Sequence, residues 1–259
     1  KDGIGQRALR SLIARATRPA ADCGVPARVA GWGMIRLLSF LLLAAPAAAA
    51  ERIVQVGSFE RLRVDGPIAV TVAAGSPRAT VDGDARVIDR LTVRLEGRTL
   101  VVRMSRDDWA EQGRAQAGAP IRLTLSTPAL TSIVISSGAD VRAAGMKADR
   151  VDLSVTGTGS IAVTGVQGTQ LNATVIGTGT IAMAGRTNTA RLLDNGPGTI
   201  DAEALDASEL VVRVDGPGTI RARARYTARI TNTGTGSVTI AGQPKCIVEP
   251  GGGGIVDCG

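Results

Sequence analysis

Thr156-Gly157-Thr158-Gly159-Ser160-Ile161 is followed twenty residues later by Ile176-Gly177-Thr178-Gly179-Thr180-Ile181. The figure returns as Asn195-Gly196-Pro197-Gly198-Thr199-Ile200, Asp215-Gly216-Pro217-Gly218-Thr219-Ile220 and Thr233-Gly234-Thr235-Gly236-Ser237-Val238. A degenerate copy, Ser136-Ser137-Gly138-Ala139-Asp140-Val141, precedes them. The closing aliphatic residue falls at 141, 161, 181, 200, 220 and 238, giving spacings of 20, 20, 19, 20 and 18. Self-similarity at such a period is the mark of a solenoid.

Within each repeat the apolar residues alternate. Before the turn stand Val151, Leu153 and Val155, then Leu171, Ala173 and Val175, then Leu210, Val212 and Val214. After it come Ile161 and Val163, Ile181 and Met183, Val238 and Ile240. Period two over short β-branched runs broken by glycine predicts half-buried strands, not helices. Twenty residues cannot bury their own apolar face, but stacked copies can. Ile161, Ile181, Ile200 and Ile220 are then expected to form an internal column, with coils paired as a parallel sheet about 4.8 Å apart. Parallel crossovers are nearly always right-handed, so the expected fold is all-β, a right-handed parallel β-solenoid. The corner glycines supply positive φ, and Pro197 and Pro217 stiffen the corner. In this register Asp201 falls beside Arg221 and Glu203 beside Arg223, a cross-strand charge ladder.

The repeats cover about 131–241. Upstream, 51–130 reads as irregular strands: Phe59 to Val64, Ile68 to Val72, Leu91 to Val93, Leu100 to Val102 and Ile121 to Leu125. Glu96-Gly97 predicts a hairpin. The polar stretch Ser105 to Ala119 holds Trp109 and reads as a surface loop or short helix. Downstream, 242–259 carries Cys246 and Cys258 around Gly251 to Gly254. In an exported chain two such cysteines are expected to pair and to cap the last coil. A metal or redox pair lacks any His and lacks C-x-x-C spacing.

Export is predicted by the segment from Met34. Arg36 is a charged n-region, Ile35 to Ala45 a short apolar core, and Ala48-x-Ala50 a cleavage site. The expected mature chain is a single domain, 51–259, with 34–50 as signal peptide. Met34 is the expected true start, and 1–33 reads as upstream, non-native translation, the alternative being a real extended leader. The apolar run is short for a bilayer span, so no transmembrane segment is expected after cleavage. Periplasm or cell surface is the expected location. The whole chain carries +7. Removing seven of the 30 Lys/Arg and two of the 23 Asp/Glu with residues 1–50 leaves 23 against 21, a net +2. The mature part therefore lacks the basic footprint of a nucleic-acid binder.

Phe59-Glu60-Arg61-Leu62-Arg63-Val64-Asp65-Gly66-Pro67 and the serial Gly-Thr-Gly-Ser-Ile corners resemble the head GIN domain family over roughly 57–242. That family carries an auto-transporter adhesin label and is common in the bacterial envelope. The resemblance implies an exported β-helical protein and brings no catalytic residues. No run of ten-residue alternating strands follows the repeats, as a membrane barrel would need.

Candidate chemistry is sparse. The corners lack the Lys and helix of a phosphate loop and the regular Asp of a calcium β-roll. Asp140, Asp194 and Asp215 are the calcium candidates. Asp194 stands where other coils carry Val155, Val175 and Val214, in a row shared with Asn232. It reads as a local register slip in the 19-residue coil, as an Asp accepting turn amides, or as a functional carboxylate. Asp201 and Glu203 could be the paired acids of a glycosidase. Arg221, Arg223, Arg225 and Arg229 could hold an acidic glycan or simply face solvent. The absence of His removes the commonest general base. Phe59, Trp109 and Tyr226 are too few for a stacking platform, although Trp109 could be one contact point. The sequence therefore points to a non-catalytic envelope protein with no cofactor. Its solenoid faces would meet an envelope glycan or protein partner, and its coil ends could self-associate. The alternative is a polysaccharide lyase or hydrolase on the same scaffold.

Overall fold

The computed structural model describes residues 50–105, 121–249 and 251–259. The predicted leader, the apolar core of the export segment and Trp109 lie outside them. Residues Ala47–Gly259 form one compact unit. The strands are β1 (Ala50–Val54), β2 (Arg61–Asp65), β3 (Ala69–Ala74), β4 (Arg78–Gly83), β5 (Leu91–Glu96), β6 (Thr99–Met104) and β7 (Arg122–Thr127). They continue with β8 (Ser132–Ser136), β9 (Asp140–Ala144), β10 (Arg150–Thr156), β11 (Ser160–Ile176), β12 (Thr180–Asn195), β13 (Thr199–Val214), β14 (Thr219–Asn232), β15 (Ser237–Gly242), β16 (Lys245–Glu249) and β17 (Val256–Cys258). One helical turn, α1 (Ala85–Ile88), interrupts them.

The chain is a parallel β-solenoid, and the predicted column exists. Leu123, Val70, Val141, Ile161, Ile181, Ile200, Ile220, Val238 and Val256 are consecutive register partners. Before the corner runs a second column, Leu100, Leu62, Ile133, Leu153, Ala173, Leu192, Val212 and Ile230. Except for Val256 at the open end, all are buried. Each fully buried aliphatic side chain contributes about 1.5–3 kcal/mol, so the columns are the main source of stability.

The two glycines of a corner serve different needs. The first takes positive φ in several coils, for example 108° at Gly177. The second is required by close approach. A Cβ on Gly159 would lie 2.6 Å from Ile135 Cδ1 and 2.7 Å from the Ala139 carbonyl oxygen. The coils stack too tightly there for any side chain.

Residues 59–105 and 121–127 are more regular than their sequence suggests, but not in chain order. Strands β2 and β3 form a rung between β6/β7 on one side and β8/β9 on the other. The chain enters at the second rung, runs outward through β4, α1 and the Glu96-Gly97 hairpin, builds the end rung, and returns to β8. That end is covered by antiparallel strands: β5 on β6, and β4 on β7, with β1 on β4.

The predicted charge ladder needs correction. Asp201 does lie beside Arg221, but Arg223 is registered with Asp206, not with Glu203. A bulge between Ala202 and Asp206 displaces Glu203 from the ladder. Differences in coil length are absorbed at this outer bend, away from the corner that set the alignment. Asp194 is not a register slip either. Val175, Asp194, Val214 and Asn232 are true partners, and the irregularity of that coil lies between Ala182 and Gly185.

Candidate functional site

Two exposed surfaces collect the charged residues. The first lies on the strands after the corner and at their bend. Asp206 is flanked in register by Arg186 and Arg223. Arg225 forks onto it: Nε donates to Oδ1 at 2.6 Å, and Nη2 pairs with Oδ2. The Arg225 hydrogen bond holds the Asp206 carboxyl below its usual range. Asp201 accepts the backbone N–H of Glu203 at 3.2 Å. Of the predicted cationic residues, Arg221, Arg223 and Arg225 thus come together, with acids among them, while Arg229 lies on another face. Asp206 is the residue that corner alignment missed. Its signal is the step of ten from Ile200 to Leu210, against a step of eight from Ile220 to Ala228, which marks a bulge.

Asp201 and Glu203 occupy an open strand and its bulge, one beside Arg221 and the other exposed. A paired-acid mechanism needs an unpaired acid and base facing each other across a substrate. This arrangement does not supply that.

The second surface is the outward face of the strands before the corner. Asn172, Arg191, Val211, Arg229 and Ile247 form one outward column. Thr174, Leu193, Arg213, Thr231 and Glu249 form the next. A shallow groove of about 280 Å³ runs between them, lined by Asn172, Thr174, Arg191, Leu193, Val211 and Arg213. Its floor is apolar, and Val211 is 37% exposed. Arg213 is taken by Asp215, with Nε 2.9 Å from Oδ2. Arg191 and Arg229 have no ion-pair partner among the described residues. They flank Val211 two ladder steps apart, roughly 10 Å. The face therefore presents two free guanidinium groups over an apolar strip, a geometry suited to anions with apolar neighbours.

Asp194 is fully buried with both carboxylate oxygens unpartnered, and burial pushes its pKa up to about 6. It accepts no turn amide. Asn232, in the same row, does satisfy its corner: Nδ2 donates 2.9 Å to the Gly236 carbonyl and Oδ1 accepts the Gly234 N–H at 3.2 Å. The calcium candidates do not converge. Asp140 accepts the Ser160 hydroxyl, and Asp215 holds Arg213 and the Thr233 hydroxyl. Among the described residues no three His, Cys, Asp or Glu side chains gather as metal ligands.

Cys246 and Cys258 are joined, with Cα atoms 6.5 Å apart. They stand at inward positions beyond Ala228 and Ile240, so the disulfide bridges the open mouth of the last coil. Among the described residues no helix is long and apolar enough to cross a membrane.

Solved structures resemble this fold. An adhesin from Bacteroides fragilis NCTC 9343, named as putative, superposes with a TM-score of 0.75 at 19% identity, over 82% of this chain and 97% of its own. A putative lipid binding protein from Parabacteroides distasonis ATCC 8503 gives 0.66 at 16%, over 83% and 98%. A putative adhesin from Parabacteroides merdae ATCC 43184 gives 0.65 at 15%, over 83% and 97%. At such identities the likeness is one of fold. Comparison with curated proteins finds no match. The family model described as "Putative auto-transporter adhesin, head GIN domain" matches residues 58–244. With its glycine corners, stacked columns and a match across most of its length, the chain belongs to the head GIN domain family.

Proposed function

We propose that this protein is a non-catalytic binding module of the bacterial envelope, exported by the segment from Met34. Its outward sheet face would engage an anionic envelope component. The observation that carries this reading is the Arg191–Val211–Arg229 column, two cations without an ion-pair partner among the described residues, astride an exposed apolar strip. Family membership and the adhesin names of similar structures support the adhesive role. The name of one similar structure as a lipid binding protein agrees with the apolar floor. The shared chemistry is an anionic group, carried on an acidic glycan or on a lipid headgroup.

The test has two arms. Binding of the chain is measured to immobilised polyuronate, and to vesicles containing phosphatidylglycerol. Replacing both Arg191 and Arg229 by Glu is expected to weaken binding at least tenfold in one arm, and that arm names the source. Arg225→Glu, on the other surface, should leave it unchanged. No binding in either arm, or binding indifferent to the Arg191/Arg229 pair, would overturn the assignment. Release of reducing ends or unsaturated sugars from polyuronate would instead favour an enzyme.

A further inference from the structure

The two ends of the solenoid are built differently. The end near β6 and β7 is closed by antiparallel strands. At the other end β16 and β17 pair inward with β14 and β15, and among the described residues no strand pairs with their outward edges. The last rung also exposes apolar surface: Ile247 is 40% exposed, Val248 50% and Ile255 73%. Val248 stands at an inward position, in register with buried Ile230. Among the described residues no further rung covers it, which leaves it exposed. Unpaired strand edges of this kind recruit another strand.

The sequence of that edge selects which strand. β16 reads Lys245-Cys246-Ile247-Val248-Glu249. Laid antiparallel against a copy of itself and centred on Ile247, it sets Lys245 against Glu249 twice. The same pairing places Cys246 opposite Val248 and Ile247 opposite its equivalent. A shift of two residues either way loses both charge pairs, so register and partner are specified together. Among the described residues neither Lys245 nor Glu249 has an ion-pair partner. Glu249 accepts only the Thr231 hydroxyl, at 2.9 Å.

We propose that this edge is an isologous interface with a second copy of the chain: a two-fold dimer formed by antiparallel pairing of β16 with its equivalent. The two-fold axis then runs normal to the sheet. Both copies present the Arg191–Arg229 face on the same side, and one sheet runs through the pair. The disulfide would hold the edge strand in place for this contact. The inference stands on the edge itself and is independent of what the face binds.

Sedimentation velocity of the oxidised chain over a concentration series, at low and high salt, tests it. A concentration-dependent dimer that weakens with salt is expected. Lys245→Glu alone, or Glu249→Lys alone, turns two attractive pairs into two repulsive ones and should weaken the dimer about tenfold or more. The double exchange K245E/E249K should restore it, which also shows that the variants fold. Arg94→Glu, on the outer strand of the opposite end, should change nothing. A monomer at every concentration would overturn the proposal. So would a dimer indifferent to the single reversals, one that the double exchange fails to restore, or one disrupted by Arg94→Glu.

Discussion

Asp194 should impose a pH-dependent loss of stability that can be switched off by one substitution. Its carboxyl has an ordinary pKa of 3.8, and burial pushes it up to about 6 in the fold. An acid with a raised native pKa holds its proton more tightly folded than unfolded. Below pH 3.8 both states are protonated and nothing is lost. Between 3.8 and about 6 the unfolded state ionises first, so stability falls as pH rises. Above about 6 the loss is complete. A shift of roughly two units at about 1.4 kcal/mol per unit corresponds to roughly 3 kcal/mol. For a unit of this size that is about 6–12 °C in Tm. Asp194→Asn removes the charge, and Asn232 shows how an amide in this row bonds its corner. Asp194→Val restores the row of Val175 and Val214. Thermal melts of wild type and both variants from pH 4 to 8 are the assay. The variants should lead by the full amount at pH 7–8, and the lead should shrink towards pH 4. The difference between curves is the quantity to read, because Asp206 and Asp215 act with opposite sign. Their arginine hydrogen bonds lower their pKa, so their contribution is lost at more acid pH. A difference flat across pH, or a wild type as stable as Asp194→Val at pH 8, would refute the reasoning.

Other perturbations probe other parts of the fold. Gly159→Ala forces a Cβ against the Ala139 carbonyl of the next rung and should cost roughly 1–3 kcal/mol; an unchanged Tm would contradict that close approach. Ile200→Ala, in the middle of the column, should cost roughly 2–5 kcal/mol in denaturant unfolding. Reducing the Cys246–Cys258 disulfide, which closes a separation of 12 residues, should cost about 3 kcal/mol. Amide exchange should then accelerate in β16 and β17 first, leaving the amides around Ile181 protected. Arg225→Ala should return the Asp206 carboxyl towards its ordinary pKa in a carbon-detected titration, while Arg221→Ala should leave it nearly unmoved.

The sequence alone was enough to establish the solenoid, because its repeat encodes local physics. Each corner needs glycine, and each flanking run alternates apolar and polar residues, so the period and the inward column could be read from Val141 to Val238. The hairpin at Glu96-Gly97 was legible for the same reason. Three features were not. Rung order at the start depends on which edge a strand joins, and Arg61–Asp65 pairs with residues both about 38 and about 71 positions on. Its own alternation is the same in either place. The partner of Arg223 depended on where a coil stored its extra residues. The corners align every coil at one point, but Glu203 and Asp206 exchange roles at the bend, where nothing local fixes the register. The solitude of Asp194 was a tertiary fact too. Its position in a valine row is visible in the sequence, but whether a corner amide turns to meet it is decided by the packing of neighbouring rungs. Likewise the groove beside Val211 exists only because Arg191 and Arg229, 38 residues apart in the chain, are brought within two ladder steps by stacking. Short-range pattern determined what each coil is; the contacts between coils determined which charges stand free.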